Sequence, residues 1–179
     1  TANYCAKRIQ EGNALTLEGK VGVFPPDIDI KTVKMIREKV GEKVDLRLDA
    51  NCRWSISTAI ATINRMEEFG VRNIEEPSPN LRAMARVREK VTPTISTHNY
   101  NITEINSLKS PLDNVVSDVH LQGGFLATKK LISVLKSSGI GFWIYSHGEL
   151  GVSTAANLQL IASSPNIIQP SQLLIEYLS

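Results

Sequence analysis

The chain has 179 residues, enough for one well-buried core and too few for two large ones. Its 42% hydrophobic and 21% charged residues are ordinary for a soluble globular domain. A formal net charge of +2, from 20 basic against 18 acidic residues, gives no nucleic-acid footprint, and no run of about 18 uncharged apolar residues offers a membrane span.

The predicted elements follow in chain order. Residues 3–11 read as a helix, with Tyr4, Ala6 and Ile9 as inward positions. Residues 15–23 read as a strand that passes into a glycine-containing loop. Asp27 to Val40 is helical, with Ile30, Val33, Ile36 and Val40 at three- and four-residue spacing, Asp27 or Asp29 as its cap and Gly41 as its stop. Residues 44–50 form a strand with Val44, Leu46 and Leu48 on one face. Ser55 or Ser57 starts a helix that ends at Gly70, and residues 71–76 form a strand stopped by Pro77. Leu81–Val91 is helix, 93–97 strand, 102–108 a short helix, 114–120 strand, 125–137 helix, 141–146 strand and 153–163 helix. The terminal PSQLLIEYLS fits a short helix or a strand equally well.

Strands alternating with helices define a parallel-sheet α/β architecture. A doubly wound dinucleotide fold would carry Gly-x-Gly-x-x-Gly after an early strand, and neither Gly19 and Gly22 nor Gly123-Gly124 supplies it. A (β/α)8 barrel needs about 250 residues, so the chain is expected to be an incomplete barrel that lacks the first strand. The chain also opens inside a predicted helix without a signal-peptide pattern, as a piece of something longer would. Cys5 and Cys52 make no disulfide framework and are expected to be reduced thiols in a cytoplasmic protein.

The polar residues at the strand ends are the functional signal. Lys20, Asp49 with Asn51, Glu75 with Glu76, His98 with Asn99, Asp118 with His120, and Tyr145 with His147 close successive strands, each about one βα unit from the next. In a barrel these positions converge on one mouth. Asp49 alone could be the cap of the next helix, and Lys20 alone a solvated loop residue. As a set, the acidic residues must be paired or hold a cation, and their oxygen donors suit Mg²⁺. His98 shifts the preference toward Mn²⁺ or Zn²⁺, or points away and leaves Asn99 or water as a ligand. His120 and Glu149 are weaker pocket candidates.

Five segments together carry a family resemblance: GKVGVFPP (19–26), LRLDANCRWS (46–55), RNIEEPSP (72–79), VVSDVHLQGG (115–124) and YSHGELGVS (145–153). In that order they resemble the enolase superfamily, of the mandelate racemase and muconate lactonizing type, and most of all its glucarate dehydratase-like members. The resemblance implies a (β/α)7β barrel, present here as one partial metal-binding catalytic domain over 1–179, without the first strand and the N-terminal capping domain. It implies a Mg²⁺ ion, with Mn²⁺ as an alternative, held by Asp49, Glu75 and either His98 or Asn99. It implies abstraction of the proton α to a carboxylate, with Lys20 as base. The usual Lys-x-Lys is here Glu18-Gly19-Lys20. Asp118 matches the aspartate of the family's His–Asp dyad. Aligned on Leu150-Gly151-Val152-Ser153, the dyad histidine falls on Tyr145, with His147 one strand period further on.

The implied activity is that of a lyase that dehydrates an acid sugar. A racemase or epimerase of the same superfamily, or a catalytically degenerate barrel fragment, are the alternatives. The implied partners are a small carboxylate substrate and either further copies of the chain or the absent N-terminal portion, with no nucleic acid and no membrane.

Overall fold

In the computed structural model, the residues described are 2–12, 14–108, 112–146, 148, 151–167 and 170–172. The elements alternate as expected: α1 (Ala2–Gly12), β1 (Thr16–Lys20), α2 (Pro26–Val40), β2 (Asp45–Asp49), α3 (Ile56–Met66), a 3-10 turn (Glu67–Phe69), β3 (Val71–Glu75), α4 (Leu81–Arg88), β4 (Thr94–Thr97), α5 (Ile102–Asn106), β5 (Asn114–Ser117), α6 (Phe125–Ser137), β6 (Gly141–Ile144) and α7 (Gly151–Ala162). The described residues form an incomplete parallel β/α-barrel sheet with alternating helices. Its residues cluster into two units, Thr1–Ser96 with Leu108–Ser110, and Thr97–Ser107 with Pro111–Ser179.

In the first unit β1, β2, β3 and the start of β4 pair in parallel and in chain order. A helix after each strand returns the chain to the end at which the strands begin, which forces the parallel direction. Leu17, Gly19, Leu46 and Leu48 face α2 residues Val33 and Ile36. The period of two then puts Glu18, Lys20, Arg47 and Asp49 on the opposite face. Leu46, Ile63, Met66, Ile74, Leu81 and Ile95 are fully buried here.

The inner face is polar where most barrels are filled by branched aliphatics. Glu18 lies 3.7 Å from Arg47, which is only 5% exposed. Asn73 donates to Thr94 Oγ1 (2.9 Å) and Ser96 Oγ (2.7 Å). Burial of such groups is tolerated because their partners come from neighbouring strands.

Ser55, not Ser57, caps α3 by accepting from Thr58 N–H at 3.1 Å. No aspartate caps α2. Pro25 takes that place and Pro26 starts the helix, since proline lacks the donor that the first turn cannot use. Asp29 turns back to accept from Gly22 N–H at 2.7 Å and pins the β1–α2 loop. Arg37, 6% exposed, donates to the carbonyls of Phe69 (2.7 Å), Val44 (2.8 Å) and Gly70 (3.3 Å), tying α2 to the starts of β2 and β3. Arg37→Ala strands those carbonyls and is expected to cost about 3 kcal/mol, read as a lower urea midpoint.

In the second unit β5 pairs with β6 in parallel, Asn114 opposite Gly141 and Ser117 opposite Ile144. Trp143, Phe142, Ile144, Leu135, Ile105 and Leu112 are its fully buried side chains. β5 stops at Ser117, three residues short of the expected end, because Asp118 Oδ1 accepts from Leu121 N–H at 2.6 Å and turns the chain.

Candidate metal and acid–base site

Parallel register brings the strand-terminal residues side by side. Lys20 stands opposite Asp49, Asp49 opposite Glu75, and Glu75 opposite Ser96. Asp49 and Glu75 are each 2% exposed. Lys20 Nζ donates to Asp49 Oδ2, while Asp49 Oδ1 accepts from Asn51 N–H at 2.8 Å. One strand period before Lys20, Glu18 points to the same group. One carboxylate oxygen from each of Glu18, Asp49 and Glu75 lies within 4.8 Å of the others. Three carboxylates this close repel one another, and an all-oxygen donor set of this size fits a hard divalent cation.

The electrostatics record that repulsion. Burial, followed by the charge of Glu75, pushes the Glu18 carboxyl up to about 7, against the pull of Arg47 and Lys20. Burial lowers the Lys20 ammonium, but its hydrogen bond to Asp49 and the charges of Asp49, Glu18 and Glu75 more than offset this and leave its pKa raised.

The shift on Glu18 has a consequence for stability. Between its ordinary value near 4.5 and about 7, the folded protein keeps a proton that the unfolded chain has lost. The Glu18 contribution is therefore full below about 4.5 and disappears as pH rises through 7. Urea unfolding of metal-free protein is expected to show stability falling over that window, and Glu18→Gln is expected to flatten the slope. An unchanged slope in the variant would contradict this assignment.

The remaining candidates lie in the second unit. The His98 and Tyr145 rings meet edge to face, centroids 4.3 Å apart at 65°. Asn99 is exposed, and its side-chain oxygen accepts from Asn101 N–H at 2.8 Å. Asp118 is 2% exposed and starts the turn after β5. His120 is exposed and, with Val119, Gly123, Gly124, Ser153 and Asn157, lines a cavity of about 330 Å³. His147 and Glu149 lie outside the described residues.

Sequence reasoning missed Glu18 as a member of the acidic group, having read it as a lost lysine. The signal was available, because residues two apart on a strand share a face. Among the described residues no helix is long and apolar enough to cross a membrane.

Parallel strands ending in a lysine and clustered carboxylates define the class: a β/α-barrel protein with a candidate divalent-metal site. Residues 4–177 match the family described as Enolase C-terminal domain-like, and the chain belongs to that family. It is 31% identical over 153 residues to a probable glucarate dehydratase of Streptomyces coelicolor, covering 83% of this chain and 35% of that protein. It is 29% identical over 154 residues to the chloromuconate cycloisomerase CbnB of Cupriavidus necator, covering 83% and 42%. The substrate-liganded structure of the L-Ala-D/L-Glu epimerase from Bacillus subtilis superposes with a TM-score of 0.87 at 25% identity, covering 95% of this chain and 49% of that one. The chain thus spans less than half the length of these relatives. They include a dehydratase, a cycloisomerase and an epimerase, so the similarity fixes the superfamily and not one branch of it.

Proposed function

We propose that the chain belongs to a Mg²⁺-dependent enzyme, with Mn²⁺ as an alternative ion, that removes the proton α to a substrate carboxylate and then eliminates water from an acid sugar. The observation that carries the reading is Lys20 beside the Glu18, Asp49 and Glu75 carboxylates at adjacent strand ends.

Asp49 and Glu75 would hold the ion. The third place goes to Glu18 on the geometry, or to His98 or Asn99 on the family resemblance. When bound, the ion supplies positive charge that stabilises the negative charge developing on the substrate carboxylate. Lys20, as the free amine, takes the α-proton, and the C–H electron pair moves into the carboxylate. The pair then returns to form the α,β double bond as the β C–O bond breaks. Asp118, with Tyr145 or His147, gives the departing hydroxyl its proton, so that it leaves as water. The resulting enol tautomerises to an α-keto acid. A free tyrosine hydroxyl ionises only near pH 10, a chemistry that suits proton donation rather than proton removal at neutral pH.

The epimerase relative favours a second reading in which the same α-proton is removed and returned without elimination. Acid sugars assayed for α-keto acid, with NMR for deuterium at the α-carbon, separate the two. Keto acid formation supports dehydration, and exchange without it supports epimerisation. The proposal includes a cytoplasmic location and association with further copies or with an N-terminal portion.

A further inference from the structure

Beyond the carboxylates themselves, the turn that follows β2 has an unusual construction. Among the described residues, Asn51 (φ 47°), Cys52 (φ 62°) and Glu76 (φ 45°) are the non-glycine residues with left-handed backbone. Such conformations cost about 1 kcal/mol or more each and persist only where surrounding contacts enforce them. Two contacts do so between Cys52 and Glu76. Cys52 N–H donates to Glu76 O at 2.7 Å, and Cys52 Sγ donates to Glu76 Oε2 at 3.1 Å. Glu76 is itself held by its N–H to Ser96 O at 3.0 Å, and Ala50 N–H donates to Glu75 O at 3.0 Å.

The outcome of this clasp is the placement of one donor. With residues 50–52 fixed, Asn51 N–H points at Asp49 Oδ1, 2.8 Å away. That hydrogen bond sets the rotation of the Asp49 carboxylate, and so the direction of its lone pairs. The side chain of Glu76, the immediate neighbour of Glu75, is meanwhile held by Cys52.

We propose that Cys52 is a positioning residue for the metal-holding carboxylates: its thiol, bonded to Glu76, locks the turn whose Asn51 N–H orients Asp49. This inference rests on the reading that Asp49 and Glu75 hold a divalent cation. Burial and the Glu76 hydrogen bond push the Cys52 thiol up to about 12, so it stays a donor across the neutral range. The residue is therefore expected to be a poor nucleophile.

Substitutions at position 52 separate the donor from the backbone. Alanine keeps the left-handed strain and removes the donor. Serine keeps both the strain and a donor. The test is Mn²⁺ titration by calorimetry, with thermal unfolding of each metal-free variant alongside. Cys52→Ala is expected to bind Mn²⁺ about tenfold more weakly than wild type, the loss typical of removing an outer support of a metal ligand. Cys52→Ser is expected to stay within about threefold, and the two variants to unfold at similar temperatures. Alanine binding as tightly as wild type overturns the proposal, and so does serine losing as much as alanine. If Cys52→Ala does not fold, Glu76→Gln, which retains an acceptor for the thiol, is compared with Glu76→Met. Loss only in methionine supports the clasp, and equal affinity in both overturns it. Wild-type protein that takes up no Mn²⁺ removes the metal reading itself, an outcome distinct from wild-type binding that is indifferent to position 52.

Discussion

Asp49→Ala is expected to weaken Mg²⁺ and Mn²⁺ binding by at least about 100-fold, since loss of a direct ligand should exceed the 10- to 100-fold cost of losing an outer support. Asp49 is central to the acidic group: it is 2% exposed, it stands between Lys20 and Glu75 in the sheet register, and it shares a 4.8 Å cluster with Glu18 and Glu75. Removing one of three mutually repelling carboxylates relieves repulsion in the metal-free protein, so the fold is expected to survive. Calorimetric titration of wild type and variant reads the effect. Equal affinity in both would remove Asp49 from the site.

The second large effect concerns Lys20. Lys20→Met is expected to lower α-proton exchange by about a thousandfold or more, within the range a positioned general base supplies. Metal affinity should hold or rise, because the ammonium form that its neighbours favour gives no lone pair to a cation and repels it. A Lys20 side chain 61% exposed contributes little packing, so the melting temperature should also hold. Exchange retained in the variant would assign the base to another residue. The acidic neighbours raise the lysine's pKa, whereas a bound cation beside Asp49 and Glu75 would repel the ammonium and favour the free amine. The proposed chemistry therefore ties the state of the base to the occupied metal site.

The fold was legible wherever a local pattern decides it. The apolar spacing of Ile30, Val33 and Ile36 follows the helix period, and all three are buried in α2. The strand ends at Asp49 and Glu75 were legible because polar residues close successive apolar runs about one βα unit apart. What was lost depended on contacts between distant residues or on backbone conformation. Asp27 and Asp29 carry the chemistry of a helix cap, yet the Pro25-Pro26 start removed the need for one and Asp29 went to Gly22. Asp118 has the composition of a strand-end residue but turns the chain itself. The Cys52–Glu76 bond joins residues 24 apart through left-handed backbone that no side-chain pattern announces. Glu18 was visible as the same-face partner of Lys20, and comparison with a family lysine hid it.

Solvent deuterium uptake is the direct measure of metal-dependent α-proton removal, the step proposed for this site. The intact gene product would be incubated in D2O with a panel of acid sugars, once with Mg²⁺ and once with a chelator, and the α-proton signal followed by NMR. Loss of that signal is expected for at least one substrate with Mg²⁺ present, and no loss after chelation. An α-proton signal that persists across the panel with Mg²⁺, or exchange that survives removal of the metal, would contradict it.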